Sequence, residues 1–97
     1  MPRVVWSESS VRDLQRAYHF LAEKNVDVAK RAVKAIRAGV MVIARHPEIG
    51  RLVRGTKPEY REWLIDFGDS GYIALYRYDG HDSLIVAVRH QREGDYS

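Results

Sequence analysis

The sequence predicts an α+β domain in the order strand, helix, helix, strand, strand, strand, with a helical hairpin packed on one face of a small, mainly antiparallel sheet. Three observations carry this. In the second half Trp63, Ile65 and Phe67 alternate with Glu62, Leu64 and Asp66, and residues 72–78 and 84–88 are rich in β-branched and aromatic side chains, which is strand periodicity. Gly68-Asp69-Ser70-Gly71 and Asp79-Gly80 fall between those runs and supply residues that tolerate positive φ, as short hairpin connections require. In the first half apolar residues recur at spacings of three and four, the period of a helix with one buried face.

Val4, Val5 and Trp6 form a first short strand, with Pro2 at its start where a missing amide is tolerated. Ser7 caps the helix that follows, and Glu8 sits in its first turn against the helix dipole. Val11, Leu14, Tyr18 and Leu21 mark the buried stripe, with Arg12, Asp13, Gln15, Arg16, His19 and Glu23 largely opposite, and the helix ends near Lys24-Asn25. Asp27 is the expected cap of a second helix, whose stripe is Ala29, Ala32, Val33, Ile36, Val40 and Ile43. The connection is so short that the two helices must be antiparallel neighbours. Gly39 costs roughly 1 kcal/mol of helix propensity, which a close contact between the helices would offset. Pro47 biases His46 out of helical geometry and ends the helix, and 49–60 reads as a loop. Neither helix can bury its stripe alone, so the pair is expected to cover one side of a four-stranded sheet and leave the other side open.

Ninety-seven residues make one domain, spanning 1–97. There is no cysteine, which excludes disulfides and thiolate chemistry, and no apolar run has the length of a membrane span. The expectation is a cytoplasmic protein with no membrane partner. The net charge of +3 is mild but uneven: residues 1–46 hold nine Lys or Arg against four Asp or Glu, and residues 47–97 hold seven against nine. A phosphate-binding protein usually concentrates cations on its working surface, and here most of them lie on the helices. His19, His46 and His81 are scattered, with no His-x-His or His-Glu-x-x-His spacing, so no metal is expected. Gly-rich nucleotide loops and a nucleophile elbow are missing too, and no cofactor is expected.

The polar end of the last strand, Arg89-His90-Gln91-Arg92, is where recognition or chemistry is expected. The order of several short motifs then becomes informative: Arg45-His46-Pro47-Glu48-Ile49-Gly50-Arg51 closing the helix pair, Tyr60-Arg61, Gly71-Tyr72-Ile73-Ala74-Leu75-Tyr76-Arg77, and Ile85-Val86-Ala87-Val88-Arg89-His90-Gln91-Arg92. With the short leading strand, this series resembles the RelE/ParE superfamily of toxins from type II toxin–antitoxin (plasmid stabilisation) systems, over nearly the whole chain. The resemblance implies a small toxin neutralised by a cognate antitoxin protein. Two activities occur in the superfamily, ribosome-dependent cleavage of mRNA in the RelE branch and poisoning of DNA gyrase in the ParE branch. Arg61 matches a basic position of the RelE branch and Tyr96 falls at the spacing of its terminal tyrosine. Trp63 and Ile73, however, stand where that branch places basic residues, and His90 replaces an arginine. The ending of the last strand resembles the ParE branch, which lacks a nuclease site, and implies a non-catalytic inhibitor of DNA gyrase.

Two residue sets follow. As a binding surface, Arg61, Arg77, Arg89, His90 and Arg92 would contact the partner. Under the alternative of an endoribonuclease acting on mRNA at the ribosome, His90 would transfer protons, Arg61, Arg77 and Arg92 would hold the phosphate, and Tyr96 would stack on a base. Each has a plain structural reading beside it. For His90 that is a strand-end ring bonded to backbone; for Arg61 and Arg77 it is cross-strand pairing with Glu62, Asp66 or Asp79, worth about 0–1 kcal/mol; for Arg92 and Tyr96 it is an unconstrained terminus. Tyr72, Tyr76 and Tyr78 on one face of a strand read either as an aromatic platform or as core, and Lys30, Arg31, Lys34 and Arg37 either as a phosphate-binding run or as a solvated helix face.

Overall fold

The computed structural model describes residues 3–93. Strand β1 is Arg3–Trp6, followed by helices α1, Glu8–Ala22, and α2, Val26–Arg45. Then come β2, Arg51–Leu52, β3, Tyr60–Phe67, β4, Ser70–Tyr78, and β5, Asp82–His90, closed by a single 3-10 turn at Gln91–Glu93. Pro2 and Tyr96, both singled out in the sequence, lie outside the described residues.

Ser7 caps α1 as its hydroxyl predicts, accepting from the Ser10 amide at 3.1 Å. The cap of α2 is Asn25, not Asp27: its side chain accepts from the Val28 amide at 3.1 Å, and Asp27 lies in the first turn, where its charge favours the helix dipole. The predicted stripe on α2 holds, with Ala29, Ala32, Ile36, Val40 and Ile43 all buried. The stretch expected to be a plain loop contains β2, which pairs with Arg61 and Glu62, so the sheet has five strands and not four. A two-residue strand is too short to leave a period in the sequence.

The strand order is β1-β5-β4-β3-β2, with β1 parallel to β5 and every other pair antiparallel. Both helices pack on one face, α1 against β5 and α2 against β3 and β1. The core between the layers is Ala32, Ile36, Val40 and Ile43 of α2 against Ile65, Tyr72, Ala74, Tyr76, Ile85 and Val88 of the sheet. Tyr72 and Tyr76 are therefore core residues and Tyr78 packs against them, which removes the aromatic platform as a surface. Gly39 does serve a close contact, but with the sheet rather than with α1: a Cβ there would lie 2.6 Å from the Ile65 side chain.

Two turns close the sheet at opposite ends of β4. The β3–β4 hairpin turns through Gly68 and Asp69, with a positive φ of 62° at Gly68 as a type II′ turn has at its first residue. At Gly71 the constraint is harder, since φ is 143° and a Cβ would meet the Ile65 carbonyl oxygen at 2.1 Å. Between β4 and β5 the Asp79 carboxylate accepts from the amides of His81 and Asp82, both at 2.8 Å, and those two bonds hold its pKa below the ordinary carboxylate value. Burial, the largest single influence on Asp82, raises its pKa, but hydrogen bonds from His81 and Arg3 together outweigh it and the net shift is downward. Gly68→Ala has open space around it and is expected to cost about 1–2 kcal/mol of left-handed backbone strain. Gly71→Ala meets backbone and should cost considerably more, so thermal melts of the two variants will separate them widely.

Candidate interaction surfaces

The Arg45–Gly50 motif is a fastening point. Its chain must turn sharply after α2, and the turn is held from below by Tyr76, which is fully buried. The Tyr76 hydroxyl donates to the Pro47 carbonyl at 2.7 Å and accepts from the Gly50 amide at 2.9 Å. Burial, the largest effect, pushes the Tyr76 phenol above its ordinary pKa, while the Gly50 amide and the Arg61 charge pull the other way. Gly50 has no room for a side chain, since a Cβ would sit 2.6 Å from that hydroxyl. Arg61 completes the fastening by donating to the carbonyls of Gly50 at 2.7 Å and Glu48 at 3.1 Å. Its expected carboxylate partner Glu62 is instead paired with Arg51 at 2.6 Å.

A second group of side chains gathers where β5 outruns β1. Beyond Ile85 the outer edge of β5 has no strand beside it among the described residues, and α1 supplies partners there: Ser9 donates to the Val86 carbonyl at 2.9 Å, and Asp13 accepts from the Val88 amide at 2.9 Å. Asp13 is buried, although its place in the helical period put it on the solvent face. It also takes Arg16 at 2.8 Å and Arg89 at 2.5 Å. His90 lies next along the strand, edge-on to the Tyr72 ring at a centroid separation of 5.3 Å. Its Nδ1 accepts from the Arg92 amide at 3.2 Å, and Nε2 lies 3.1 Å from the Ser70 hydroxyl. In the neutral ring an Nδ1 that accepts leaves the proton on Nε2, toward Ser70, so these contacts orient the imidazole against the hairpin tip.

The predicted set is thus divided. Arg89, His90 and Arg92 come together at one end of the sheet. Arg61 and Arg77 pair with Tyr76 and Tyr60 at the other, four to five residues further along β4 from the Tyr72–His90 pair, which is about 15 Å. Around His90 the structure adds a cleft of about 650 Å³ between α1 and the β3–β4 hairpin tip, lined by Arg16, Phe20, Phe67, Ser70, Tyr72 and Arg92 among others. Phe20 belongs to no predicted stripe and is 70% exposed, and that misfit was the only trace of the cleft in the sequence.

Two further surfaces are apolar. A groove between β1 and the helices has Val4, Trp6, Val11, Leu14, Val40 and Met41 along it and Arg3 and Arg37 at its rim. The sheet face away from the helices has an apolar centre of Val5, Leu64, Ile73, Leu75 and Leu84, with Leu64 42% exposed, and register places Glu62, Asp66 and the exposed Arg77 on the same face. No helix among the described residues is long and apolar enough to cross a membrane.

The family model of the ParE toxin of type II toxin–antitoxin system, parDE, matches residues 4–94. The chain belongs to the ParE toxin family. Solved structures agree on the fold of this ParE-family protein. A chain of the chromosomal ParDE system from P. aeruginosa is 20% identical with a TM-score of 0.73, covering 93% of this chain and 95% of the other. A chain of the RelBE2 toxin–antitoxin complex from Mycobacterium tuberculosis is 21% identical with a TM-score of 0.67, covering 93% and 99%. The YoeB/ParE toxin from Agrobacterium tumefaciens is 21% identical with a TM-score of 0.57, covering 91% and 96%. No curated protein matches the sequence closely enough to add to these. The membership places the protein as a toxin of a type II toxin–antitoxin system.

Within this family member, Tyr76 is the test of the fastening point. Tyr76→Phe keeps the ring and removes one hydroxyl, leaving the Gly50 amide and Pro47 carbonyl without their partner. The expected loss is about 2–3 kcal/mol in denaturant unfolding, well above the cost of an exposed hydrogen bond.

Proposed function

We propose that this toxin acts without catalysis, by binding and inhibiting DNA gyrase, and that a cognate antitoxin holds it inactive. The observation that supports this reading is the division of the cationic set. A nuclease needs its proton-transfer group and its phosphate-holding arginines around one scissile bond, within a few ångströms of one another. Here Arg61 and Arg77 are about 15 Å from His90 along β4, and Arg61 donates to two carbonyls of the turn after α2. The uncovered sheet face centres on Leu64, Ile73, Leu75 and Leu84, with Glu62, Asp66 and Arg77 on the same face, so its charge is mixed rather than cationic, which also favours a protein partner.

The antitoxin is assigned to the groove between β1 and the helices. Its apolar lining with Arg3 and Arg37 at the rim suits an amphipathic acidic segment, and the exposed Lys30, Arg31 and Lys34 on α2 extend the same charge. In that arrangement the toxin–antitoxin complex is the resting form, and the site of action is the cytoplasm.

Purified protein tested in parallel on gyrase supercoiling and on a translation reaction is expected to block the first and leave the message intact in the second. His90→Ala should weaken the inhibition several-fold rather than abolish it, because the ring only orders the hairpin tip. Cleaved message with normal supercoiling, lost entirely on His90→Ala, would instead establish the endoribonuclease.

A further inference from the structure

Helix α2 carries a charge that the fold itself does not balance. Between Val26 and Arg45 it holds Lys30, Arg31, Lys34, Arg37 and Arg45 against a single carboxylate, Asp27. That excess of four exceeds the net charge of +3 on the whole chain, so the rest of the molecule is slightly acidic and the positive field is the field of this helix. All five cations are exposed, and none of them pairs with a carboxylate among the described residues. Lys30, Lys34, Arg37, Met41 and Arg45 follow one another at spacings of four and three, which sets four cations on one outward stripe about 22 Å long. Of those four only Arg37 lines the apolar groove beside β1, so Lys30, Lys34 and Arg45 lie outside the groove's lining.

We propose that this stripe binds the phosphate backbone of duplex DNA, without regard to sequence. Four unpaired cations in a line match an anion that is itself linear, and a duplex presents one phosphate charge for every ~1.7 Å of its axis. A single strand fits less well: proteins hold it by stacking its bases on aromatic side chains, and α2 contains no aromatic residue. An acidic protein segment would want apolar anchors between the charges, and the stripe offers only Met41. The surface is also presented rigidly. Buried Ala29, Ala32, Ile36, Val40 and Ile43 fix α2 to the sheet along its other side, so the backbone beneath the cations needs no ordering on binding. The choice of DNA over an RNA duplex rests on the reading of the chain as an inhibitor of DNA gyrase, an enzyme that works on duplex DNA. The stripe then tethers the toxin to the DNA on which its target works.

The test measures binding of the full chain, free of antitoxin, to a labelled mixed-sequence DNA duplex of about 20 base pairs, by fluorescence anisotropy between about 50 and about 200 mM salt. Four phosphate contacts predict a roughly hundredfold loss of affinity across that range. Lys30→Gln, Lys34→Gln and Arg45→Gln combined should leave only a few-fold salt dependence. Arg54→Gln with Lys57→Gln, which removes two exposed cations elsewhere, should leave it near wild type. Gln has nearly the helix propensity of Lys and Arg, and all five positions are exposed, so melting temperatures should stay within a few degrees of wild type. No binding at the lower salt would overturn the proposal, and so would equal losses from the two sets of substitutions, which would reduce it to general attraction. An RNA duplex of the same length bound more tightly would overturn the choice of DNA. Displacement of the DNA by polyglutamate at equal charge would give the stripe to an acidic protein and overturn it equally. Failure of the gyrase reading is seen separately, since the binding assay holds no gyrase: a chain that binds DNA as described and leaves supercoiling untouched upholds the stripe and defeats only that reading.

Discussion

The carboxylate of Asp13 on the Val88 amide holds α1 to the free edge of β5. Strand β5 pairs with β4 along one side and, among the described residues, has no strand on the other once β1 has ended at Trp6. A buried edge without partners would leave amides and carbonyls unsatisfied, at a cost of about 1–3 kcal/mol each. Helix α1 takes over where β1 stops, through Ser9 and Asp13, and the Asp13 charge is in turn balanced by Arg16 and Arg89. One residue therefore fixes the height of α1 above the sheet, the direction of Arg89, and one wall of the cleft. Removing a partner from such a buried pair is far costlier than the pair's net contribution, which makes Asp13 a specification device as much as a source of stability.

The opposite end of the sheet is organised by the same logic with other chemistry. Tyr76 reaches through the core to the carbonyl and amide of the turn after α2, and Arg61 binds two carbonyls of that turn from its flank. The two ends have accordingly divided the cations. At its end Arg61 serves architecture; at the His90 end Arg16 and Arg92 border a cleft that no element among the described residues fills.

Much of the architecture could be read from the chain before any coordinates. The α2 stripe, the Ser7 cap, both hairpins and the one-sided packing follow from periodicity and turn chemistry, all of which are local, whereas on α1 the expected stripe residue Val11 is exposed and the buried residues are Ser10 and Asp13. What escaped was non-local. Asp13 lies on the polar side of its helix by period, and only the termination of a strand remote in sequence makes that side an interior. Asn25 caps in place of Asp27 because α1 ends at Ala22, earlier than its pattern suggested, which leaves Asn25 in the extended geometry a cap needs. Arg61 and Arg77 alternate on neighbouring strands with His90 in a linear reading, yet the register of β4 with its two neighbours, which no single strand encodes, sets them at opposite ends. Phe20, a helix aromatic with no place in the buried stripe, was a legible anomaly whose meaning required the hairpin tip to be placed beside it.

The central claim is inhibition by occupancy, and stoichiometry tests it most directly. Toxin titrated into a fixed amount of gyrase should inhibit only as it approaches the amount of its target, and late addition of antitoxin should restore supercoiling. Inhibition of growth traced instead to trace amounts of toxin destroying message progressively, with damage that antitoxin added later does not reverse, would contradict the account.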